Sequence, residues 1–401
     1  MIAAALDLVN DIPRKAARMN VLLTLVVALL VVIGVLFIRG VGEQTGGRIE
    51  GYWTRQLVWV AAGVAVMLAL AALDYEALGR ASPWLYLGTV ALLLTVLLAG
   101  TKVNGARSWL RVAPGVMIQP AEFAKLGVLV ALAWFASFPS TDFRRLSHVA
   151  LAVALTVLPM LLVLAQPDMG SALVFVPICL AVLVAGRMRL RLLVVAAALA
   201  LVAGPLVYRF VFHPHQKERM LTFVRPLVPP GVYALAVRYS GLPATATKAG
   251  APPRVVDDWN ARQSELAVGS GGLHGKGYGQ GTQNTLGFLP RRVAPTDFIF
   301  SVIAEETGFV GGCVLLGAFT VLLFLCVCIA AKARDDFGRY LACGIAALFA
   351  VHVFVNIGMT IRVMPIIGIP LPLVSYGGSG MLLMLAGVGV LQSIHIHRHN
   401  D

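Results

Sequence analysis

Charge is scarce in this chain. Only 13% of its 401 residues are Asp, Glu, Lys or Arg, about half the share (about 25%) usual in a soluble domain. That deficit, with 59% hydrophobic residues and a mean hydropathy of +0.84, excludes a water-soluble globule and indicates a polytopic membrane protein. Acidic residues are the scarcer sign, 19 against 32 basic ones, for a formal net charge of +13. No basic domain stands apart from the apolar stretches, so nucleic-acid binding is a poor reading. Positive loops held at a cytoplasmic membrane face account better for the excess. Cysteine is rare, and Cys179, Cys313, Cys326, Cys328 and Cys343 all lie inside apolar runs. There they act as small hydrophobes and form neither a disulfide framework nor a metal-binding spacing. A cleavable signal is not expected either. Arg14, Lys15 and Arg18 precede an uncharged stretch of 18 residues, 21–38, which reads as a signal anchor, because a signal peptide's apolar core is about 7–15 residues.

Ten apolar stretches can be counted: 21–38, 57–73, 84–99, 126–138, 149–165, 169–185, 192–208, 309–331, 340–361 and 381–396. Runs this long and continuous indicate helices rather than barrel strands. The expected fold is an all-α integral membrane protein, a single domain of ten transmembrane helices with one long extracytoplasmic loop, 209–297, between helices seven and eight. Within that loop, residues 226–253 are rich in Pro, Gly, Ala and Thr and read as a flexible insertion. The fourth stretch is short unless Glu122 and Lys125 belong to it. Those two are three apart, on one helix face, and suit an ion pair. With the N-terminus inside, cytoplasmic segments hold 13 basic residues and short outer loops 8, a modest bias for both termini inside. Another 11 basic residues fall between Arg209 and Arg292. They are either a solvated basic loop or a seat for phosphate, which Arg and Lys bind well.

Four segments dense in polar, Gly and Pro residues fall at the outer face: 104–125, 166–171, 262–308 and 356–380. The third interrupts the apolar pattern most sharply and sets one carboxylate, Asp297, at the mouth of an apolar stretch just after Arg291 and Arg292. The glycine run 269–281 inside it is not a nucleotide loop. A Walker pattern ending at Gly275 and Lys276 requires Gly where Ser270 stands and Ser or Thr where Gly277 stands. The histidines His395, His397 and His399, and the pair His213 and His215, read better as solvated than as a metal site.

The pieces GARSWL, QPAEFAKL, QPDMGS, GSGGLHGKGYGQGTQNTLGFLP, TDFIFSVIAEE and GIPLPLVSYGGSG are long and specific. Together they resemble the SEDS family (shape, elongation, division and sporulation), the RodA/FtsW group, over nearly the whole chain. GTQNTLGFLP and the SIHIHR ending are closer to its RodA branch. The resemblance implies an enzyme of the bacterial inner membrane, a glycosyltransferase that polymerises lipid II into peptidoglycan strands during cell elongation. It implies a class B penicillin-binding protein as partner, beside lipid II and the nascent glycan strand. It also implies that the Asp of the TDF motif, Asp297, is catalytic. Two departures stand out. Arg291, Arg292, Val293, Ala294 and Pro295 occupy the place where Glu and His commonly precede TDF, and the 226–253 insertion lengthens the loop.

The chemistry can be read from the residues themselves. Joining a sugar 4-hydroxyl to an anomeric carbon that bears a lipid diphosphate needs a base for the hydroxyl proton and positive charge for the leaving group. Inversion places the base opposite the leaving group. Asp297 is the candidate base, the plain alternative being that Thr296 or Asp297 only caps the helix at Phe298. Candidate substrate-binding residues are Arg107, Trp109, Arg111, Glu122, Lys125, Lys276, Arg291, Arg292 and Glu306. Glu122 with Lys125 equally suits an ion pair that holds two spans together, Trp109 equally suits an interfacial aromatic belt, and the sequence does not choose between Glu305 and Glu306. Asp168 reads as a turn or cap residue. No cofactor is required, though a divalent cation such as Mg or Mn beside Asp297 and the diphosphate is compatible with the chemistry. Rival readings are a lipid II flippase, whose key charges belong at mid-span, and a non-catalytic scaffold. The late spans, with Gly311, Gly312 and Gly344, are the expected partner surface.

Overall fold

The computed structural model describes residues 18–45, 49–103, 106–113, 116–210, 212, 214–241, 259–290 and 293–398. Seven helices precede the long polar region: α1 (Val21–Thr45), α2 (Tyr52–Ala72), α3 (Glu76–Ala99), α4 (Pro120–Ser137), α5 (Leu146–Ala165), α6 (Met169–Ala185) and α7 (Leu190–Phe210). Four shorter ones lie within it: α8 (Pro214–Val224), α9 (Pro230–Ser240), α10 (Trp259–Ser270) and α11 (Thr282–Thr285). Three follow: α12 (Ile299–Ala331), α13 (Asp336–Thr360) and α14 (Gly378–Ile396). Among the described residues, eight helices are long and apolar enough to cross a membrane, namely α1 to α5 and α12 to α14. The short fourth apolar stretch is resolved by α4, which starts at Pro120 and so includes Glu122 and Lys125.

Two expectations are corrected. The chain is not wholly helical: β1 (Thr101–Val103), β2 (Ala106–Ala113) and β3 (Val116–Ile118) form an antiparallel sheet between α3 and α4. Short strands leave little periodicity in a sequence that is apolar on both sides. The segment 226–253 is also not irregular throughout, because Pro230–Ser240 is helical, with Pro at its first turn and Gly241 ending it at φ +66. Both are ordinary helix punctuation. The rest of that segment, from residue 242, lies outside the described residues.

The innermost helices are α4, α13 and α14, whose buried faces meet at the centre of the bundle. Glycine sets the closest approaches. Gly63 on α2 faces Leu385 on α14, and a Cβ on Gly389 would lie 2.6 Å from the Met67 carbonyl oxygen. Small residues permit this contact between helices where no water drives association. One end of the bundle is tied simply: Arg334 pairs with Glu76, and Asn20 and Gln392 exchange hydrogen bonds of 2.8 and 3.1 Å. The polar segments gather at the other end.

The most consequential feature there is a break in α12. Gly308 leaves the helical region, at φ +69 and ψ −165. Groups freed by such a break must find partners, since unpaired backbone in an apolar setting is costly. The glycine run supplies them. The N–H groups of Lys276 and Gly277 donate to the carbonyls of Glu305 and Glu306, both at 3.0 Å, while Phe309 and Val310 donate to Gly272 and Leu273 at 2.8 and 3.1 Å. Side chains reinforce the dock. Glu305 accepts from Lys276 Nζ at 2.6 Å and Thr282 Oγ1 at 3.0 Å, and Glu306 accepts from Gln44 Nε2 at 2.8 Å and the Gly279 N–H at 2.9 Å. Tyr278 donates to the Leu36 carbonyl on α1 at 2.7 Å.

Gly275 sits in this dock at φ +79, and a Cβ there would collide with the Glu306 carbonyl. We expect Gly275→Ala to lower the thermal unfolding temperature of the detergent-solubilised protein, because the left-handed backbone alone costs an L-residue about 1–2 kcal/mol. Gly317→Ala on the same α12, where a Cβ meets open space, is the matched control and should leave that temperature unchanged or raised. Equal unfolding temperatures for wild type and Gly275→Ala would show that the glycine run does not brace the break.

Candidate active site

A cavity of about 580 Å³ opens at the polar end. Its walls come from helix starts. Gln119 precedes α4, Asp168 precedes α6, Thr296 and Asp297 precede α12, and Gly377 precedes α14; all of them line the cavity. Backbone N–H groups at such starts lack helical partners, and the helix dipole favours negative charge there. The three carboxylates that line the cavity follow this rule. Asp168 caps α6, its Oδ1 accepting from the Ser171 N–H at 3.0 Å, as its turn-or-cap reading anticipated. Glu122 lies in the first turn of α4. Asp297 stands two residues ahead of α12.

Asp297 is held through its backbone, which leaves the carboxylate to the cavity. Its N–H donates to the Val293 carbonyl at 2.9 Å, and its own carbonyl accepts from Asn356 Nδ2 at 3.0 Å. Around it, Tyr376 N–H donates to Pro295 at 2.8 Å and Ser375 Oγ to the Thr296 carbonyl at 2.5 Å. The capping alternative is not what the structure contains. The cap of α12 is Phe298, with no side-chain cap hydrogen bond, and Thr296 Oγ1 donates to the Val293 carbonyl instead. Gly368, at φ +83, lies beside the carboxylate, and a Cβ there would lie 3.5 Å from Asp297 Oδ2, an ordinary contact, so it is the backbone that favours glycine. Burial pushes the Asp297 carboxyl up to about 6, against the opposing pull of the Arg219 guanidinium and the Thr296 hydroxyl.

Lys125 forms the second polar centre. It is 1% exposed and pairs with Glu122 Oε1 at 2.5 Å. Its Nζ also lies 3.4 Å from His352 Nε2. His352 Nδ1 sits 2.8 Å from the Leu348 carbonyl, which can only accept, so Nδ1 carries the proton and Nε2 presents its lone pair to the ammonium. Gln119 Nε2 donates to Asp168 Oδ2 at 2.5 Å, and Gln119 N–H to Ser379 Oγ at 2.9 Å. These bonds tie α4, α6 and α14 together at the cavity.

Of the sequence-derived candidates, the cavity brings together Asp297, Glu122, Lys125 and Trp109. Arg107 and Arg111 are exposed on β2 and do not line it. Lys276 and Glu306 belong to the dock that braces α12 and do not line the cavity. Arg291 and Arg292 lie outside the described residues. Sequence reading missed Gln216 and Arg219, which α8 presents to the cavity from one face, three residues apart. That spacing was the available signal, hidden among many basic residues of a polar region. Among the described residues, no group of three or more His, Cys, Asp or Glu gathers as a metal site.

A helical membrane bundle with a half-buried carboxylate and two cations around an end cavity is built for chemistry on a polar group at a membrane surface. Comparison with known proteins agrees. The model of the cell cycle protein family of FtsW, RodA and SpoVE matches residues 18–400. The chain is 36% identical over 374 residues to the peptidoglycan glycosyltransferase MrdB of Escherichia coli K12, covering 93% of this chain and 92% of that one. It is 31% identical over 430 residues to the peptidoglycan glycosyltransferase RodA of Treponema pallidum, covering 95% and 98%. Among solved structures it superposes on a chain of a peptidoglycan synthase complex that coordinates polymerisation and crosslinking, at TM-score 0.74 and 30% identity, covering 96% and 99%. For the rod shape determining protein RodA of Thermus thermophilus the TM-score is 0.66 at 29% identity, covering 96% and 98%. The chain belongs to the FtsW/RodA/SpoVE family.

The Asp297 environment sets a measurable titration. An infrared difference titration between wild type and Asp297→Asn should show one carboxyl losing its proton near pH 6. Arg219→Gln removes a charge that favours the ionised form, so the same band should titrate at higher pH. A band titrating near pH 4, unmoved by Arg219→Gln, would contradict the described burial.

Proposed function

We propose that this protein is a peptidoglycan glycosyltransferase that polymerises lipid II, with Asp297 as general base. The observation that carries the reading is the Asp297 carboxylate, raised to about 6, facing the cavity with its backbone fixed on both sides. An acceptor 4-hydroxyl placed against it gives its proton to the carboxylate as the oxygen attacks the anomeric carbon of the donor. The bond from that carbon to the lipid diphosphate breaks, the diphosphate leaves with the electron pair, and the configuration inverts. A base whose proton affinity sits just below neutral pH is ionised when needed and still basic enough to help. Lys125, paired with Glu122 and beside His352, is one of the two cations that line the cavity. If a divalent cation takes part, Asp297 would be a residue to hold it, and it would supply positive charge for the leaving diphosphate.

In this reading α6 and α7 also cross the membrane, which makes ten spans, and both termini face the cytoplasm. The cavity then opens outward, where a translocated lipid-linked sugar resides. The basic-residue bias supports this orientation. Asp297→Asn keeps the shape and removes the base. Polymer formation on purified lipid II should fall about 10²- to 10⁴-fold while lipid II binding persists. Near wild-type polymerisation by a correctly inserted Asp297→Asn protein would remove Asp297 from the chemistry.

A class B penicillin-binding protein is the partner this reading requires. The expected late-span surface narrows to α12. Gly344 is interior, because a Cβ there would collide with Leu129, and Gly312 is buried. On α12, by contrast, Phe309, Val314, Phe324 and Val327 are exposed and Gly317 meets open space. Gly317→Leu should therefore reduce co-purification with the transpeptidase without disturbing insertion. Undiminished co-purification would move the interface off this face.

A further inference from the structure

The main cavity is poorly charged for holding a diphosphate. Its charged wall residues are Glu122, Asp168 and Asp297 against Lys125 and Arg219, and Lys125 is already bound to Glu122. A second cavity of about 180 Å³ adjoins it. Its polar lining is Arg219, Thr222, Asn260 and Arg362, with no carboxylate among the described lining residues. Arg219, Pro365 and Ile366 line both cavities, so one guanidinium borders the two. Arg219 Nη1 donates to the Ile366 carbonyl at 3.3 Å, which holds that guanidinium at the shared segment.

Arg362 reaches this wall in an unfavourable backbone. It follows α13 at φ +59, the left-handed position where helices usually end on glycine. The Val363 and Met364 N–H groups close the turn on the Gly358 carbonyl at 2.8 and 3.0 Å. Glycine would serve the turn better than any L-residue, so the arginine is present for its side chain. Glu265 holds its Nη1 at 3.2 Å from the solvent side, being 54% exposed against 22% for Arg362.

We propose that this second cavity is a phosphate-binding subsite, taking the diphosphate of the lipid-linked donor while the donor's sugar lies in the main cavity facing Asp297. This rests on the glycosyltransferase reading above. Two guanidiniums, a hydroxyl and an amide suit phosphate oxygens. The volume is too small for a disaccharide, since drug-sized ligands take about 300–1,000 Å³. Cations fixed at this spot meet the charge that grows on the leaving diphosphate. Anion binding beside Arg219 also offsets its pull on Asp297, which strengthens the base when donor is present.

The test is steady-state polymerisation of lipid II by the full protein with its transpeptidase partner in neutral-lipid nanodiscs. Arg362→Gly suits the turn and removes the guanidinium. It should keep the wild-type unfolding temperature, lower kcat/KM for lipid II by about tenfold, mostly through KM, and weaken inhibition by inorganic pyrophosphate in similar proportion. Glu265→Gln removes the competing carboxylate and should lower KM. Wild-type KM and pyrophosphate sensitivity in Arg362→Gly would overturn the subsite. In that case an inactive Asp297→Asn would leave the glycosyltransferase reading intact. An Arg362→Gly defect seen only when phosphatidylglycerol is added would mark the bound phosphate as a phospholipid head group and overturn the substrate assignment.

Discussion

Everything at the polar end depends on one requirement: the backbone broken at Gly308 must be hydrogen-bonded. An unbroken α12 would carry Glu305 and Glu306 as two buried acids in an apolar helix, which is costly. The break turns the cost into a dock. The same carbonyls that lose helical donors gain them from Lys276 and Gly277, and the two acids find Lys276, Gln44 and the Gly279 N–H. The first segment of α12 is thereby fixed between the glycine run on one side and the 371–376 turn on the other. Asp297 stands two residues ahead of that segment. Its position is therefore set by backbone pairing and packing rather than by contacts of its own carboxylate, which is the arrangement a catalytic group needs.

How far the sequence revealed this depends on the range of the contact. The eight long spans were legible because apolar length is a local property, and Asp297 was legible because it sits at an abrupt change from polar to apolar. Glu122 and Lys125 were legible as a pair through helical spacing alone. His352, which completes that centre, was not, because it lies 227 positions from Lys125 inside an otherwise ordinary apolar helix. The structural partners of Lys276 and Glu306 were not legible, for an instructive reason. A glycine-rich stretch with a lysine looks the same whether its N–H groups serve a ligand or a broken helix, and only the partner distinguishes the two. Arg219 failed in the opposite way, hidden among the many basic residues of the polar region, only some of which reach a cavity.

The cavity acids are better understood as parts of helix starts than as a cluster. Glu122, Asp168 and Asp297 each stand at the N-terminal end of a different helix, where a dipole equivalent to about half a positive charge favours them. Glu122 has Lys125 in addition, and Asp168 has Gln119 and the Ser171 N–H. For Asp297 the helix is capped by a phenylalanine with no side-chain bond, and the Arg219 guanidinium and the Thr296 hydroxyl act on its carboxylate. Two acids are thus committed to holding the walls, and the third is left with a raised proton affinity. Burial raises the Asp297 carboxyl against the pull of the Arg219 guanidinium and the Thr296 hydroxyl.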